Sequence, residues 1–523
     1  MDKLFSSFKT TDLEKQDPAF VANEAISNDT TSEDDFSKTV SSEASNIAFL
    51  QKIATRLNAE TRGIEPVRDD EKTDANIWNP CMLWFSANFV ISAYAVGALG
   101  PMVFGLNFGI TSLTIVFFNI IGVVPVAYFS LFGPGLGLRQ MVLSRYLVGN
   151  IVGRFFSFIN CIACVGWCVL NSICSAQLLN MVNLHGHRCP FWAGIMVVVL
   201  GTILVTFFGI KVITAFERWS WVPNLAVFLV IIARLHKSGQ FSGGKWTSGP
   251  TTAGNVLSLG CVAYGYAGAW ATYSADYTVY MPRNTNKVKL FFGLCVALTV
   301  PLCFTMILGA AVGMGGVNNA TWAKYYSSNG IGGLTYEVLV PNSVHGFGEF
   351  CCVLLALSTI ANNTPNMYTL GFSFQAIWEP LARVPRAFCT LFGNAAVFVV
   401  GCCACYYFDS FMEKFMDTLA YYGAIYISLG MAEHLIFRKC SFKAYDVKDW
   451  KTFSKLPIGI AGGVGFFVAA FGVALGMCQS YWVGEIGRRI GKDGGDVGFE
   501  MGAAWGFIAY VLVRPLELKY FGR

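Results

Sequence analysis

Polar and apolar residues divide the chain sharply. Residues 1 to about 78 are rich in Ser, Thr, Asp and Glu, as in Ser27-Asn-Asp-Thr-Thr-Ser-Glu-Asp-Asp35. Such a stretch cannot bury a core and predicts a disordered tail, with hydroxyls and lysines available for regulatory modification. After Pro80 long apolar runs alternate with short polar loops. A helix of about 20 apolar residues crosses a bilayer. Twelve such spans are predicted, at about 81–104, 109–132, 155–182, 190–209, 219–236, 252–275, 289–314, 347–376, 386–406, 415–437, 457–478 and 497–514. The fold class is an all-α polytopic membrane protein.

Composition agrees with the pattern. The 523 residues are 54% hydrophobic and 13% charged, with a mean hydropathy of +0.51. Soluble domains carry about 25% charged residues, so no large soluble domain is expected. The net charge of +5 does not imply nucleic acid, because the basic residues lie mostly in loops. With the N-terminus inside, loops on the cytosolic side hold sixteen Lys and Arg against eight outside. That bias places both termini in the cytosol. It also puts the sequon Asn319-Ala-Thr321 outside, within reach of glycosylation. The match at Asn362-Asn-Thr364 lies inside a span. Met1-Asp-Lys-Leu-Phe5 is not followed by a long apolar run, so no signal peptide is predicted. Cys161 and Cys164 have a redox or metal spacing but sit in mid-span, where small apolar packing is expected; neither metal nor cofactor is indicated.

A few polar residues stand where hydrocarbon is expected. Span 8 carries Asn362, Asn363 and Asn366 with Pro365 among them. Spacings of three and four crowd the amides on one helical face. A buried amide without partners costs about 2–7 kcal/mol, and Pro365 also frees the carbonyl of Ala361. Span 1 carries Ser86 and Asn88, and Gly100-Pro101 disrupts its end. In span 3 Trp167 and Asn171 share a stripe. In span 6 Gly265 and Gly268 weaken the helix just before Trp270, and Asp276 follows. Gly105-x-x-x-Gly109 and Gly472-x-x-x-Gly476 read as small-residue helix contacts.

Disrupted spans 1 and 6 hold matching places in two five-helix halves. That predicts an inverted-repeat secondary transporter with a site at the midplane. The halves are 79–236 and 237–437; residues 438–523 add spans 11 and 12 and a cytosolic C-terminal tail. Two indole faces with paired amides suit a small, flat, neutral heterocycle. A membrane enzyme is disfavoured, since His185 and His187 lie in an external loop and His434 near a span end beside Glu433.

From about Leu57 to Arg523 the chain resembles fungal purine–cytosine permeases of the nucleobase–cation-symport-1 family. The resemblance rests on Asn58-Ala-Glu-Thr-Arg-Gly-Ile-Glu-Pro66, Ala98-Leu-Gly-Pro-Met-Val-Phe-Gly105, Ala275-Asp-Tyr-Thr-Val-Tyr-Met-Pro282, Ser358-Thr-Ile-Ala-Asn-Asn-Thr-Pro-Asn366 and Pro515-Leu-Glu-Leu-Lys-Tyr-Phe-Gly-Arg523. It implies a LeuT-like 5+5 fold with two extra helices. It also implies proton-coupled uptake of cytosine, adenine, guanine and hypoxanthine at the plasma membrane. The base would lie between Trp167 and Trp270, with Ser86, Asn171, Asn362, Asn363 and Asn366 as further substrate-binding residues. Sodium-coupled bacterial relatives have adjacent hydroxyl residues just before the first asparagine of span 8. Here Ile360 and Ala361 stand there, with Ser358 and Thr359 further back. Asp276 is the best intramembrane acid for the proton, ahead of Glu217 and Glu433. The alternatives are a permease for another flat nitrogen heterocycle, such as uracil, allantoin or a pyridoxine-like compound, and a transport-dead nucleobase sensor.

Overall fold

The computed structural model describes residues 60, 62–184, 186–344 and 346–523, with the backbone alone over 407–413. Expectations for residues 1–59 and for His185 lie outside the described residues. Every predicted span falls on a helix or a helix pair. Span 1 is α1 (Trp78–Asn88) and α2 (Ile91–Met102), bent by 50°. Span 2 is α3 (Phe108–Phe129), followed by two short helices, α4 (Phe132–Leu136) and α5 (Gln140–Leu147). Spans 3 and 4 are α6 (Asn150–Met181) and α7 (Phe191–Thr206). The short α8 (Ile210–Glu217) leads into α9 (Trp221–Ser238), span 5.

Span 6 starts as α10 (Pro250–Gly268) and continues as 3-10 turns over 269–272 and 274–277. Span 7 is α11 (Lys287–Asn318), and α12 (Ala320–Leu339), kinked at Asn329 and Gly330, fills the loop after it. Span 8 is α13 (Phe347–Leu357) with α14 (Thr359–Ile377). Spans 9 to 12 are α15 (Arg386–Ala404), α16 (Phe408–Ala432), α17 (Ile460–Gly476) and α18 (Gly498–Phe521). A small hairpin, β1 (Cys478–Gln479) with β2 (Trp482–Val483), joins the last two. By length and composition six described helical segments can cross a bilayer, or seven with the bent pair taken as one span.

Spans 1, 2, 6 and 7 pack on one another, and spans 3, 4, 8 and 9 form a second group. Large apolar side chains such as Leu113, Phe117, Phe292 and Val296 remain exposed around the outside. That is the surface a bilayer covers. Spans 1 and 7 touch backbone to backbone. A Cβ at Gly97 would lie 1.7 Å from the carbonyl oxygen of Met306, and one at Gly309 would lie 1.9 Å from that of Tyr94.

Several breaks fall elsewhere than the residue types suggest. Span 1 breaks at Phe89 and Val90, and Pro101 sits in the last turn of an intact α2, where little helix remains to disrupt. Span 8 keeps helical torsions at Ser358, where its hydrogen bonds tighten to the i to i+3 pattern, and α14 runs on through Pro365. The glycine pair at 472 and 476 does face the α18 backbone, but Gly105 has φ +60 and no neighbour within 4 Å, so it serves a turn. The expected C-terminal tail is helix as far as Phe521. Its Glu517 accepts hydrogen bonds from the N–H groups of Gly459 (2.9 Å) and Ala461 (3.0 Å), capping α17.

The predicted disordered tail also ends earlier than residue 78. Residues 62–77 pack across one end of the protein, with Ile64 and Val67 buried. Val67 N–H donates to Gly137 O at 2.9 Å, Lys72 Nζ to Pro134 O at 3.2 Å and Asp74 N–H to Tyr280 O at 3.0 Å. Within this stretch the Arg62 side chain, with the Arg68 N–H, holds the Glu71 carboxyl down at about 2. Glu60 gathers five elements. It accepts from Ile210 N–H (3.1 Å), Tyr368 OH (3.0 Å) and Tyr280 OH (3.4 Å), with Arg386 at 3.6 Å and Arg139 at 3.9 Å.

The contact of spans 1 and 7 leaves no room for a methyl group against a carbonyl. Gly97→Ala and Gly309→Ala are expected to cost more than the ~1–3 kcal/mol of ordinary overpacking, because backbone cannot step aside as a side chain does. Each variant should be retained inside the cell. Wild-type surface levels by fluorescent tagging would contradict the close approach.

Candidate substrate-binding site

The two broken spans face spans 3 and 8 across the boundary between the groups. Trp167 projects from α6, and Trp270 from the first 3-10 turn after α10. Both are buried, their rings are within 10° of parallel, and the centroids stand 6.5 Å apart. Trp270 is oriented by its own hydrogen bond: Nε1 donates to Asn88 Oδ1 at 3.1 Å, and Asn88 Nδ2 donates to Trp84 O at 2.8 Å. The Trp84 ring meets Trp270 edge-on at 5.0 Å, and Tyr266 meets Trp167 edge-on at 5.1 Å.

One turn after Trp167, Asn171 reaches span 8. Its Nδ2 donates to Asn362 Oδ1 at 2.7 Å and to Asn363 Oδ1 at 2.8 Å. Its own Oδ1 is buried with no hydrogen-bond partner among the described residues. Asn362 Nδ2 donates to Ala87 O at 2.6 Å and to Tyr266 OH at 3.2 Å. Asn363 Nδ2 reaches Ser172 Oγ at 3.5 Å. Asn366 is engaged at both ends: Nδ2 donates to Asn362 O at 2.8 Å, and Oδ1 accepts from Tyr273 OH at 2.6 Å. The structure thus joins Asn171, Asn362, Asn363 and Asn366 in one network beside the indoles.

Two expected residues stand apart from that network. Ser86 is buried and its hydroxyl donates to the carbonyl oxygen of Glu217, at the end of α8. Asp276, fully enclosed, accepts from Gln140 N–H at 2.8 Å and from Thr369 Oγ1 at 3.0 Å, while Arg139 donates to its carbonyl oxygen at 2.8 Å. Glu217 is equally buried, with Oε1 unpartnered among the described residues and Ser220 Oγ 3.3 Å from Oε2.

A profile described as permease for cytosine/purines, uracil, thiamine, allantoin matches residues 66–484. The chain belongs to this permease family. It is 63% identical over 477 residues to purine-cytosine permease FCY21 of Saccharomyces cerevisiae, covering 91% of this chain and 90% of that one. Against FCY2 of the same yeast the identity is 59% over 528 residues, covering 99% and 98%. Among solved structures, Mhp1, a nucleobase-cation-symport-1 family transporter, superposes with a TM-score of 0.66 at 14% identity, covering 89% of this chain and 96% of that one. The expected LeuT-like transporter fold therefore holds, and the chain is a multi-pass membrane permease, not an enzyme.

Sequence reasoning carried Ser86 toward the site and left Asn88 behind, although both stood out among apolar neighbours. Only a partner could separate them, and Trp270 lies 182 positions away. Tyr266 and Tyr273, which hydrogen-bond to Asn362 and Asn366, were likewise not singled out from the sequence. The signal available was their place at a predicted helix break, where backbone and side-chain polar groups need mates.

The network is closed tightly enough for one residue to matter. Asn171→Ala removes the donor to two buried amide oxygens, each left at a cost of about 1–3 kcal/mol. Thermal unfolding of the purified protein in detergent should shift down by several degrees. An unshifted transition would show that other groups take over both oxygens.

Proposed function

We propose that the permease carries cytosine and purine bases (adenine, guanine and hypoxanthine) into the cell with protons, across the plasma membrane with both termini cytosolic. Alternating access would come from relative movement of its two groups of spans. The parallel indoles of Trp167 and Trp270, set beside the asparagine network, carry this reading. A flat ring held between two others needs about 3.5 Å on each face, about 7 Å in all. The indole centroids stand 6.5 Å apart, so a small separation of the two groups admits one ring.

The edge of such a base presents a ring nitrogen, an amino group and often a carbonyl. Asn171 offers a free acceptor for the amino group. Asn362 and Asn363 supply amides that both donate and accept. Asn366 keeps Asn362 and Tyr273 in register, and Ser86 ties span 1 to α8. The names of the yeast relatives support the same substrate class. The family description also includes uracil, thiamine and allantoin, which keeps a permease for another flat nitrogen heterocycle as the second reading. Uptake of labelled cytosine in a permease-deficient yeast strain, with a panel of cold competitors, separates the two. Absence of cytosine uptake by surface-localised protein would reject the first.

Asp276 is the proposed proton carrier. It is an enclosed carboxyl on span 6 whose donors come from span 8 and from the loop after span 2, so movement between the groups changes its partners. A hard cation needs oxygen ligands, and Ile360 and Ala361 offer no side-chain oxygen in span 8. The membrane potential adds about 2.3 kcal/mol per 100 mV for each proton carried inward. Uptake should fall as external pH rises and collapse with a protonophore, and Asp276→Asn should flatten the pH dependence. Sodium dependence without a pH response would reject proton coupling.

Trp167→Ala and Trp270→Ala should each weaken cytosine binding by about 1–3 kcal/mol, the usual scale for a base stacked on an aromatic ring. Phenylalanine should recover more at 167 than at 270, because only Trp270 also donates to Asn88. Competition assays normalised to surface protein read both effects. Wild-type affinity in the two alanine variants would remove the stacked base from the reading.

A further inference from the structure

The break in span 1 exposes backbone groups that α1 and α2 cannot satisfy themselves. A helix end leaves carbonyls and N–H groups without intrahelical partners, and at membrane depth each must find one in the protein. Phe89 and Val90 separate the two helices, and both are buried. Three side chains from other spans meet this break. Asn362 Nδ2 donates to Ala87 O at 2.6 Å. Asn224 Nδ2, from the first turn of α9, donates to Phe89 O at 3.1 Å. Ser358 Oγ, between α13 and α14 of span 8, accepts from Ile91 N–H at 3.1 Å and donates to Leu355 O at 2.6 Å. Asn224 and Ser358 are buried and take no part in the asparagine network.

The two contacts grip the break from opposite ends. Asn224 holds the first carbonyl of the turn, and Ser358 holds the first N–H after it. Between them the backbone is fixed in angle and rotation. That rotation decides where Asn88 points, because Asn88 is the last residue of α1. Asn88 in turn accepts from Trp270 Nε1 at 3.1 Å. A path of hydrogen bonds therefore runs from two residues outside the pocket to the indole that faces Trp167.

We propose that Asn224 and Ser358 are positioning residues: they clamp the break in span 1 so that Asn88 holds Trp270 parallel to Trp167. The proposal rests on the reading of these indoles as the faces that stack on the base. The clamp is built of neutral dipoles from span 5 and span 8, so the break keeps its shape without a charged group. It also explains a hydroxyl that looked misplaced. Ser358 lies too far back to join the asparagines, and it serves the backbone of span 1.

The test uses the full chain in permease-deficient cells, with labelled cytosine uptake normalised to surface protein. Asn224→Ala and Ser358→Ala are each expected to raise KM by about threefold to tenfold, the scale of one lost buried hydrogen bond. Vmax per surface molecule should change by less than about twofold, as for a loss of binding alone. Ser358→Thr keeps the hydroxyl and should stay within about twofold of the parent KM. The decisive comparison is a Trp270→Phe background, where no donor to Asn88 remains. There the two alanine substitutions should add less than about twofold, because residues acting through one group are not additive. Unchanged KM in both alanine variants, or the same rise with Phe at 270, overturns the clamp. Should Asn224→Ala fail to reach the surface, Ser358→Ala with its Thr counterpart carries the test, since it removes a single oxygen. The stacking reading fails separately, and visibly, if Trp167→Ala and Trp270→Ala leave KM unaltered.

Discussion

An unpaired backbone N–H or carbonyl inside hydrocarbon costs several kcal/mol, and this chain departs from regular α-helix inside its spans at three places. The helix breaks at Phe89 and Val90, turns 3-10 after Gly268, and tightens at Ser358. Each is served by side chains from elsewhere. Asn224, Ser358 and Asn362 reach the first. At the second, Gln140 Oε1 accepts from Ala275 N–H at 3.2 Å and Arg139 donates to Asp276 O. At the third, Ser175 Oγ donates to Ala356 O at 2.6 Å. The distribution of polar residues in the membrane follows largely from where these departures fall.

The same economy makes pocket and scaffold inseparable. Asn362 Nδ2 donates to the span 1 backbone and to Tyr266 OH, while its Oδ1 accepts from Asn171. Exchanging such a residue alters helix geometry and pocket chemistry together. Asn171 is the exception, because it keeps an acceptor that the fold does not consume. A network with one open position has a place for a guest without dismantling its own bonds.

Much of the fold was legible in the chain, and the reasons are local. Apolar runs are set by length and hydropathy alone, so every predicted span coincides with helix. The weak point in span 6 followed from Gly265 and Gly268. The break in span 1 was assigned to Gly100 and Pro101 because residue types announce a break only where the backbone itself is weak. At Phe89 and Val90 the turn is stabilised by distant partners, which local composition does not record. The same limit explains why Pro365 looked disruptive in a helix that runs through it, and why residues 62–77 looked unstructured. Their short apolar points, Ile64 and Val67, are buried only in the folded chain, Ile64 in the main core and Val67 where its N–H meets the distant Gly137. For the site, residue types suggested aromatic faces and amides, resemblance to the family singled out residues, and pairing such as Trp270 with Asn88 needed three dimensions.

Glu60 sets a boundary for anyone trimming the chain. Arg386 is wholly enclosed, its guanidinium lies 4.6 Å above the Tyr368 ring, and among the described residues Glu60 is the one carboxylate within ion-pair distance of it. Removing one partner of an enclosed ion pair costs about 3–5 kcal/mol, because the other charge is stranded. A truncation that stops short of Glu60 keeps this charge balanced. One that passes it deletes a few polar residues on paper and leaves an unneutralised cation in the interior.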